Sequence, residues 1–336
     1  MKKGEPLYQQ VYNSIVKQIE LGLLRNGDRV PSERELSEQH HVSQITAKNA
    51  LNNLAENGYV ERVQGKGTFV KHSEPSHNRG LILGTIFTTM NTDIDKELLN
   101  HLELYSQQLK MRFFFGLSRE SVSEEINLIK RFISYGVEGL IIFPTESENY
   151  NTLILQLHLE HFPMVLIDRC FLGLSIPSVV SDNFDGGYQL ANIALDKGYH
   201  NIAYIETKEE NSATLERRAG IEQAFIDHDV PINKNLWMMV DSQSDSKHSI
   251  VEFLDEREVD CIITINSFFS NLLCDYIKEK KIFHLTFDKS KHCDYYVKQH
   301  TDKIALEALK MLKQFVEQNK VDSYIKKIPV HIKEFR

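Results

Sequence analysis

Seven short apolar runs are spread over residues 81–288: "LILGTIF" (81–87), "RFFFGL" (112–117), "GLIIF" (139–143), "MVLID" (164–168), "NIAYIE" (201–206), "CIITIN" (261–266) and "IFHLTFD" (282–288). Most are continuous rather than alternating, the pattern of strands buried on both faces. Helix-period segments lie between most of them, such as "DIDKELLNHLELYSQQLK" and "SVSEEINLIKRFISYG". Strands alternating with helices build parallel sheets covered by helices. Seven strands are too many for one small sheet. A break near "DRCFLGLSIPSVVSDN" (168–183) divides the region into two similar halves. The expectation is two α/β lobes with a cleft between them, a natural place for a small molecule.

The front of the chain follows another pattern. Residues 1–72 carry a formal charge of +2 inside a chain of net charge −8, so a mildly basic head precedes an acidic body. Polar "SEPSHNRG" (73–80) reads as a linker, which gives a head at 1–72, a linker at 73–79 and a body at 80–336. Leu7, Val11, Ile15 and Ile19 recur every four residues and predict a helix from about Leu7 to Leu23 with that stripe buried. "RNGDRVP" then makes a glycine turn. Ser32 and Glu35 form a capping box for a second helix. "HHV" is a short turn, with His40-His41 a solvated loop rather than a metal site, and Ser43 caps a third helix.

On that third helix Ala47, Ala50, Leu51 and Leu54 share the core side. Ile45, Lys48, Asn49 and Asn52 fall opposite, with Gln44 and Thr46 free at its start. This is the layout of a helix-turn-helix whose first recognition turn enters the major groove. Gln and Asn pair with adenine, Ile45 meets a thymine methyl, and Lys48 and Arg34 suit phosphate or guanine. "YVERVQGKGTFV" adds two strands around Gln64-Gly65-Lys66-Gly67, a hairpin whose lysine reaches phosphate or the minor groove. Taken singly these features are ordinary, since most short helix pairs are plain packing and Gly-x-Gly is a common loop. Their order points to DNA.

Residues 6–70 closely resemble the winged-helix domain of the GntR family of bacterial repressors. The resemblance implies DNA contacts from Arg34, from Ser43, Gln44, Ile45, Thr46 and Lys48, and from Gly65, Lys66 and Gly67; Asn49 joins them from its place on the outward face. The family often has Arg where Gln44 stands. The body resembles the ligand-binding domain of LacI-type regulators, itself similar to periplasmic sugar-binding proteins, in "VVSDNFDGGYQLANIALDKGYHNIAYIE", "RRAGIEQAF" and "VKQHTDKIALEALKML". Head and body together look like the AraR subfamily, whose members sense sugars such as arabinose.

Ligands in such folds bind at the carboxyl ends of strands. Asp168, Asn266 and Asp288 each end an apolar run, and Arg217 opens a helix across the cleft. Carboxylates, an amide and a guanidinium together suit sugar hydroxyls. The competing reading is that such an Asp merely caps the next turn. The resemblance places effector contacts at Arg217, Asn266, Asp288 and Asp168, and leaves Arg218 as a solvated charge. The chain departs from the pattern at Asn266-Ser267, where Asn-Asp is usual, in the shortened "DKSKHCDYYVKQ", and at Ser242 in place of an aromatic wall, with Trp237 close by. "TTMNTD" (88–93) reads as a cleft loop.

Several classes are disfavoured. No run of about 18 apolar residues is present, and "MKKGEPLYQQ" lacks the apolar stretch of a signal peptide. Cys170, Cys261, Cys274 and Cys293 have no metal-ligand spacing and read as reduced cytosolic thiols. There is no HExxH, nucleophile elbow, phosphate loop or dinucleotide signature. The expectation is therefore a cytoplasmic homodimeric regulator, not an enzyme, without cofactor, metal or membrane partner. It would bind double-stranded operator DNA and be released by a small-molecule effector, a carbohydrate or derivative. The alternative is a binding protein or enzyme on the same two-lobed body, with the head serving another partner.

Overall fold

The computed structural model describes residues 6–20, 23–71, 80–145, 151–208, 210–241, 246–321 and 324–335. They fall into two compact units, Met1–Gly80 and Leu81–Arg336. The expected linker at 73–79 and Ser242 lie outside the described residues.

The first unit holds α1 (Leu7–Glu20), β1 (Arg29–Val30), α2 (Glu33–His40), α3 (Gln44–Glu56), β2 (Val60–Val63) and β3 (Gly67–Val70). Val11 and Ile15 of α1 pack with Leu36, Ala47, Ala50, Leu51 and Leu54 over Val30, Val60 and Val70. Ile19 is only partly buried, and Leu7, at the first position of the helix, is exposed. Among the described residues the helix runs to Glu20, and Leu23 lies outside it. The hairpin gains a strand that the pattern did not suggest: β1 pairs antiparallel with β3, giving the order β1-β3-β2. Two residues carry too little periodicity to read as a strand.

The second unit runs β4 (Ile82–Phe87), α4 (Asp93–Gln108), β5 (Arg112–Leu117), α5 (Val122–Ser134), β6 (Gly139–Ile142), α6 (Thr152–Leu159), β7 (Met164–Ile167), β8 (Ser178–Ser181), α7 (Asn183–Asp196), β9 (Ile202–Thr207), α8 (Ser212–Asp227), β10 (Trp237–Val240), α9 (Ser246–Asp255), β11 (Cys261–Thr264), α10 (Ser267–Lys280), β12 (Phe283–Phe287), β13 (Tyr295–Lys298), α11 (Thr301–Gln318), β14 (Ile325–Ile328) and β15 (His331–Glu334). Among the described residues these strands form two six-stranded sheets, β14-β8-β7-β6-β4-β5 and β10-β9-β11-β12-β13-β15. Neighbours pair in parallel except β13 and β15. Together with the head this is the expected α/β class: a winged helix-turn-helix followed by a two-lobed α/β body.

Burial on both faces explains the continuous runs. In the first lobe Ile141 and Val165 face one helix layer, while Leu140, Ile142, Met164 and Leu166 face the other. The run "RFFFGL" departs from that rule. It is the edge strand β5, and Phe114 and Phe115 are exposed.

The halves are not strictly sequential. The chain crosses between lobes at 181–183, returns at 298–301 so that α11 packs on the first lobe, and crosses again at 328–331. The crossings are tied to one another. Ser181 Oγ donates to Gln299 Oε1 at 2.6 Å. The Asp182 amide donates to the Ile328 carbonyl at 2.8 Å. The His300 and His331 rings share a hydrogen bond, Nε2 to Nδ1, of 2.8 Å.

Helices α7 and α8 touch backbone to backbone. A Cβ on Gly187 would sit 2.1 Å from the Arg217 carbonyl oxygen, and one on Gly220 would sit 2.0 Å from that of Phe184. Ala normally stabilises a helix over Gly by about 1 kcal/mol. Here the overlap wins, and Gly220→Ala is expected to destabilise the body by about 2–3 kcal/mol. Urea unfolding checks it; a neutral or stabilising outcome would mean that the helices sit further apart.

Candidate nucleic-acid interface and effector cleft

In the head, the Ser32 side chain accepts from the Glu35 amide and Glu35 Oε2 accepts from the Ser32 amide, so the expected capping box is formed. His41 takes a left-handed conformation (φ 54°) that ends α2, and Ser37 Oγ closes the turn on the Val42 carbonyl. This turn sets α3 with Ala47, Ala50, Leu51 and Leu54 inward. Gln44, Ile45, Lys48 and Asn49 stand exposed. Ile45 is 73% accessible, a large apolar chain left in water.

Three predicted contacts, Ser43, Thr46 and Arg34, are partly occupied within the head. Ser43 Oγ accepts from the Thr46 amide at 3.1 Å and lies 2.8 Å from Thr46 Oγ1. These hydroxyls hold the helix start. Asn52 is half-buried and accepts from Arg62 Nη1, while Arg62 Nη2 pairs with Glu33. Arg34 is exposed and pairs with Glu38 at 3.0 Å. In the hairpin the turn comprises Gln64, Gly65 and Lys66, since Gly67 already pairs with Val63 in the ladder. Gly65 (φ 75°) and Gly67 (φ 123°) take conformations that favour glycine. Lys66 is exposed at the tip.

In the body, Arg217 lies inside α8 rather than at its start, and is 6% exposed. Its Nε donates to Asn183 Oδ1 at 2.8 Å and its Nη1 to the Ile265 carbonyl at 2.9 Å. The guanidinium carbon lies 3.9 Å from the Phe287 ring centroid. Burial lowers the Arg217 pKa, and the charges of Asp288 and Asp168 oppose that shift. Its Nη2 has no hydrogen-bond partner among the described residues, and none of their carboxylates forms an ion pair with it within 4.0 Å.

Asp168 and Asp288 both follow a strand and adopt positive φ, 65° and 63°. Asp288 accepts from Gln299 Nε2 at 2.9 and 3.1 Å. Burial pushes its pKa up to about 6, with Arg217 pulling the other way. Asn266 differs: its Oδ1 caps α10 by accepting from the Phe269 amide, the structural role that strand-end polar residues often play. Arg217, Asp168 and Asp288 thus share one electrostatic environment, and Asn266 follows the residue whose carbonyl anchors Arg217.

Several residues of this cleft escaped the sequence reading. Asn183 and Gln299 are crossing residues that hold Arg217 and Asp288. Arg169 lies 3.7 Å from Asp168 and over the Phe143 ring. Asp95, 5% exposed, closes a capping box with Thr92 after the "TTMNTD" loop. Its pKa is raised by burial and by Asp168. The Thr92-x-x-Asp95 spacing was the available signal. Arg218 is no solvated charge: it pairs with Glu206 at 2.9 Å and Glu210 at 3.1 Å. Trp237 packs on Tyr204 within the second lobe's core.

Residues 7–70 match the model for bacterial regulatory proteins, gntR family, and residues 83–308 match the periplasmic binding protein domain. The arabinose metabolism transcriptional repressor of Geobacillus stearothermophilus is 27% identical over 235 residues, covering 69% of this chain and 64% of that protein. Its namesake from Halalkalibacterium halodurans is 24% identical, over 68% and 63%. The match therefore spans slightly under two thirds of these relatives' length. Among solved structures, the transcriptional regulator CelR–cellobiose complex aligns with a TM-score of 0.67 at 18% identity, over 87% of this chain and 90% of that one. The Cra regulator of Pseudomonas putida, with fructose 1-phosphate, gives 0.66 at 18%, over 77% and 99%. Identities this low show the fold alone. The chain belongs to the periplasmic binding protein domain family and carries at its front the domain of the bacterial regulatory proteins of the gntR family.

Proposed function

We propose that this chain is a DNA-binding transcriptional repressor, released from its operator when a sugar or sugar derivative enters the cleft of its body. The observation that carries the reading is the outward row Gln44, Ile45, Lys48 and Asn49 on a capped helix beside an exposed lysine-tipped hairpin. A buried structural helix would not leave Ile45 in solvent, and base edges offer both polar and methyl partners to such a row. Two copies of the head on a pseudo-palindromic site would supply the symmetry that such operators mirror. The cellular place is the cytoplasm, where the DNA is. The cleft supplies recognition rather than catalysis, its polar groups being those that hold hydroxyls. Release requires that the effector bind the two conformations unequally.

The test is an electrophoretic shift with selected genomic fragments. Wild type is expected to shift a subset selectively. Lys66→Ala should weaken binding on all sequences and reduce the salt slope by about 1; an unchanged slope would remove the wing lysine from phosphate. Absence of any selective shift at low salt would favour the alternative of a binding protein whose head serves another partner.

For the cleft, Arg217→Lys keeps the charge but loses the planar fork that reaches Asn183, Ile265 and a ligand at once. Operator binding should persist, while release by an effector should need at least roughly tenfold more ligand. A variant with normal release would place the effector elsewhere.

Asp288 offers a test without ligand. Its folded pKa of about 6 lies above the ordinary carboxylate value, so the folded state holds a proton that the unfolded chain has lost. That contribution to stability is present at about pH 4 and lost as pH rises through about 6. His284, pushed down to about 4 by burial, acts oppositely, its stability being lost as pH falls; comparison with wild type cancels it. Asp288→Asn should therefore gain melting temperature over wild type progressively between acid and neutral pH. A difference that stays flat with pH would show the carboxyl to be ionised throughout.

A further inference from the structure

The cleft holds more carboxylate than free guanidinium. Asp95 and Asp168 are buried at 5% and 9% exposure, and Asp288 is half-buried beside them. Of the two arginines, Arg169 is already balanced. Its Nε lies 3.7 Å from Asp168 Oδ2, and its Nη1 lies 3.9 Å from Glu120 Oε1. The same Nη1 donates to the Pro144 carbonyl at 3.1 Å, and Phe143 lies under the plane at 4.7 Å. Arg217 spends Nε and Nη1 on neutral oxygens and faces Asp168 and Asp288 without an ion pair to either within 4.0 Å.

We infer that this cleft takes an uncharged polyhydroxyl effector and rejects its phosphorylated and carboxylated counterparts. A hydroxyl both donates and accepts. Adjacent hydroxyls can therefore accept from Arg217 Nη2 and donate to Asp288 or Asp168, bridging groups that stand apart in the protein. A phosphate ester or a carboxylate offers acceptors almost alone. At that position it would give the aspartates no further donor and add like charge beside them in a partly desolvated place. One guanidinium shared with two aspartates does not offset that. The fields point the same way: Asp95 and Asp288 are each already pushed toward their protonated forms by burial and by the neighbouring Asp168 charge. An added anion would find an environment that resists the negative charge it has.

This inference rests on the cleft being the effector site, and the test separates the two. Thermal shift of the full chain is measured at pH 7.5 with matched pairs: D-ribose and ribose 5-phosphate, D-fructose and fructose 1-phosphate, D-glucose with glucose 6-phosphate and gluconate, and with L-arabinose and cellobiose added as uncharged probes. Titration gives each affinity through the rise in melting temperature. At least one uncharged sugar should bind, and any charged partner it has should bind at least roughly tenfold more weakly. In the double variant Asp168→Asn, Asp288→Asn, which keeps the shape and removes the charge, that gap should narrow. A phosphate or acid that binds as well as its uncharged partner overturns the inference and leaves the sugar reading standing. A gap unchanged in the double variant overturns the assignment to these carboxylates. No shift from any probe removes the sugar reading, and this inference with it.

Discussion

The backbone contact between α7 and α8 is what the cleft depends on. Gly187 faces the carbonyl of Arg217, and Gly220 faces the carbonyl of Phe184. With side chains at either place the helices could not lie this close. The closeness brings the Arg217 side chain within hydrogen-bond reach of Asn183, the first residue of α7 and part of the crossing at 181–183. A long, flexible side chain held at three points loses the freedom that would otherwise blunt its recognition of a ligand. The second lobe thus presents a fixed donor because two glycines on adjacent helices permit it.

The proposed effector contacts are bonded to the crossings between the lobes. Arg217 is bonded to Asn183 in one crossing, and Asp288 is bonded to Gln299 in another. Gln299 in turn accepts from Ser181. Arg217 and Asp288 both belong to the second lobe, so a ligand of the proposed kind would load the crossings only if it also reached Asp168 of the first lobe. Such a load would give two conformations of the body unequal affinity for that ligand, which the proposed effector response requires.

Much of this architecture was legible from residues, and the reasons are physical. Continuous apolar runs report burial on both faces, so all seven became strands. Five body strands escaped: β10, "WMMV", is a short apolar run that was passed over, while β13 "YYVK", β8 "SVVS", β14 "IKKI" and β15 "HIKE" lack that signal. The last two are edges, where lysine and polar residues suit an open ladder. The reading of "RFFFGL" as doubly buried erred for the converse reason, since an edge can keep phenylalanines in solvent. Asp168 and Asp288 stand near each other because strand ends gather in this fold, and Arg217 meets them from within α8. Asn183 and Gln299 escaped because their roles come from the crossings, which bring residues 118 positions apart into a single bond, and Arg169 escaped because only the fold sets it over Phe143 beside Asp168. Arg218 shows the limit of neighbour logic: adjacent arginines on a helix point to different places, one to the cleft and one to Glu206.

The head makes a related point about how hydroxyls are used. Ser43 and Thr46 bond to each other and to the first turn of α3, so reading a base with either would compete with holding the helix start. An N-cap contributes about 1 kcal/mol, comparable to the lower end of what one good base contact contributes to discrimination. On the proposed reading, base recognition would fall mainly to the side chains without such duties, Gln44, Ile45, Lys48 and Asn49. Gln44 stands in the first turn, where recognition helices meet base edges. A neutral amide there pairs with adenine, where a guanidinium would favour guanine. Ile45 beside it adds a methyl-seeking surface, so two adjacent exposed residues both lean toward A·T pairs.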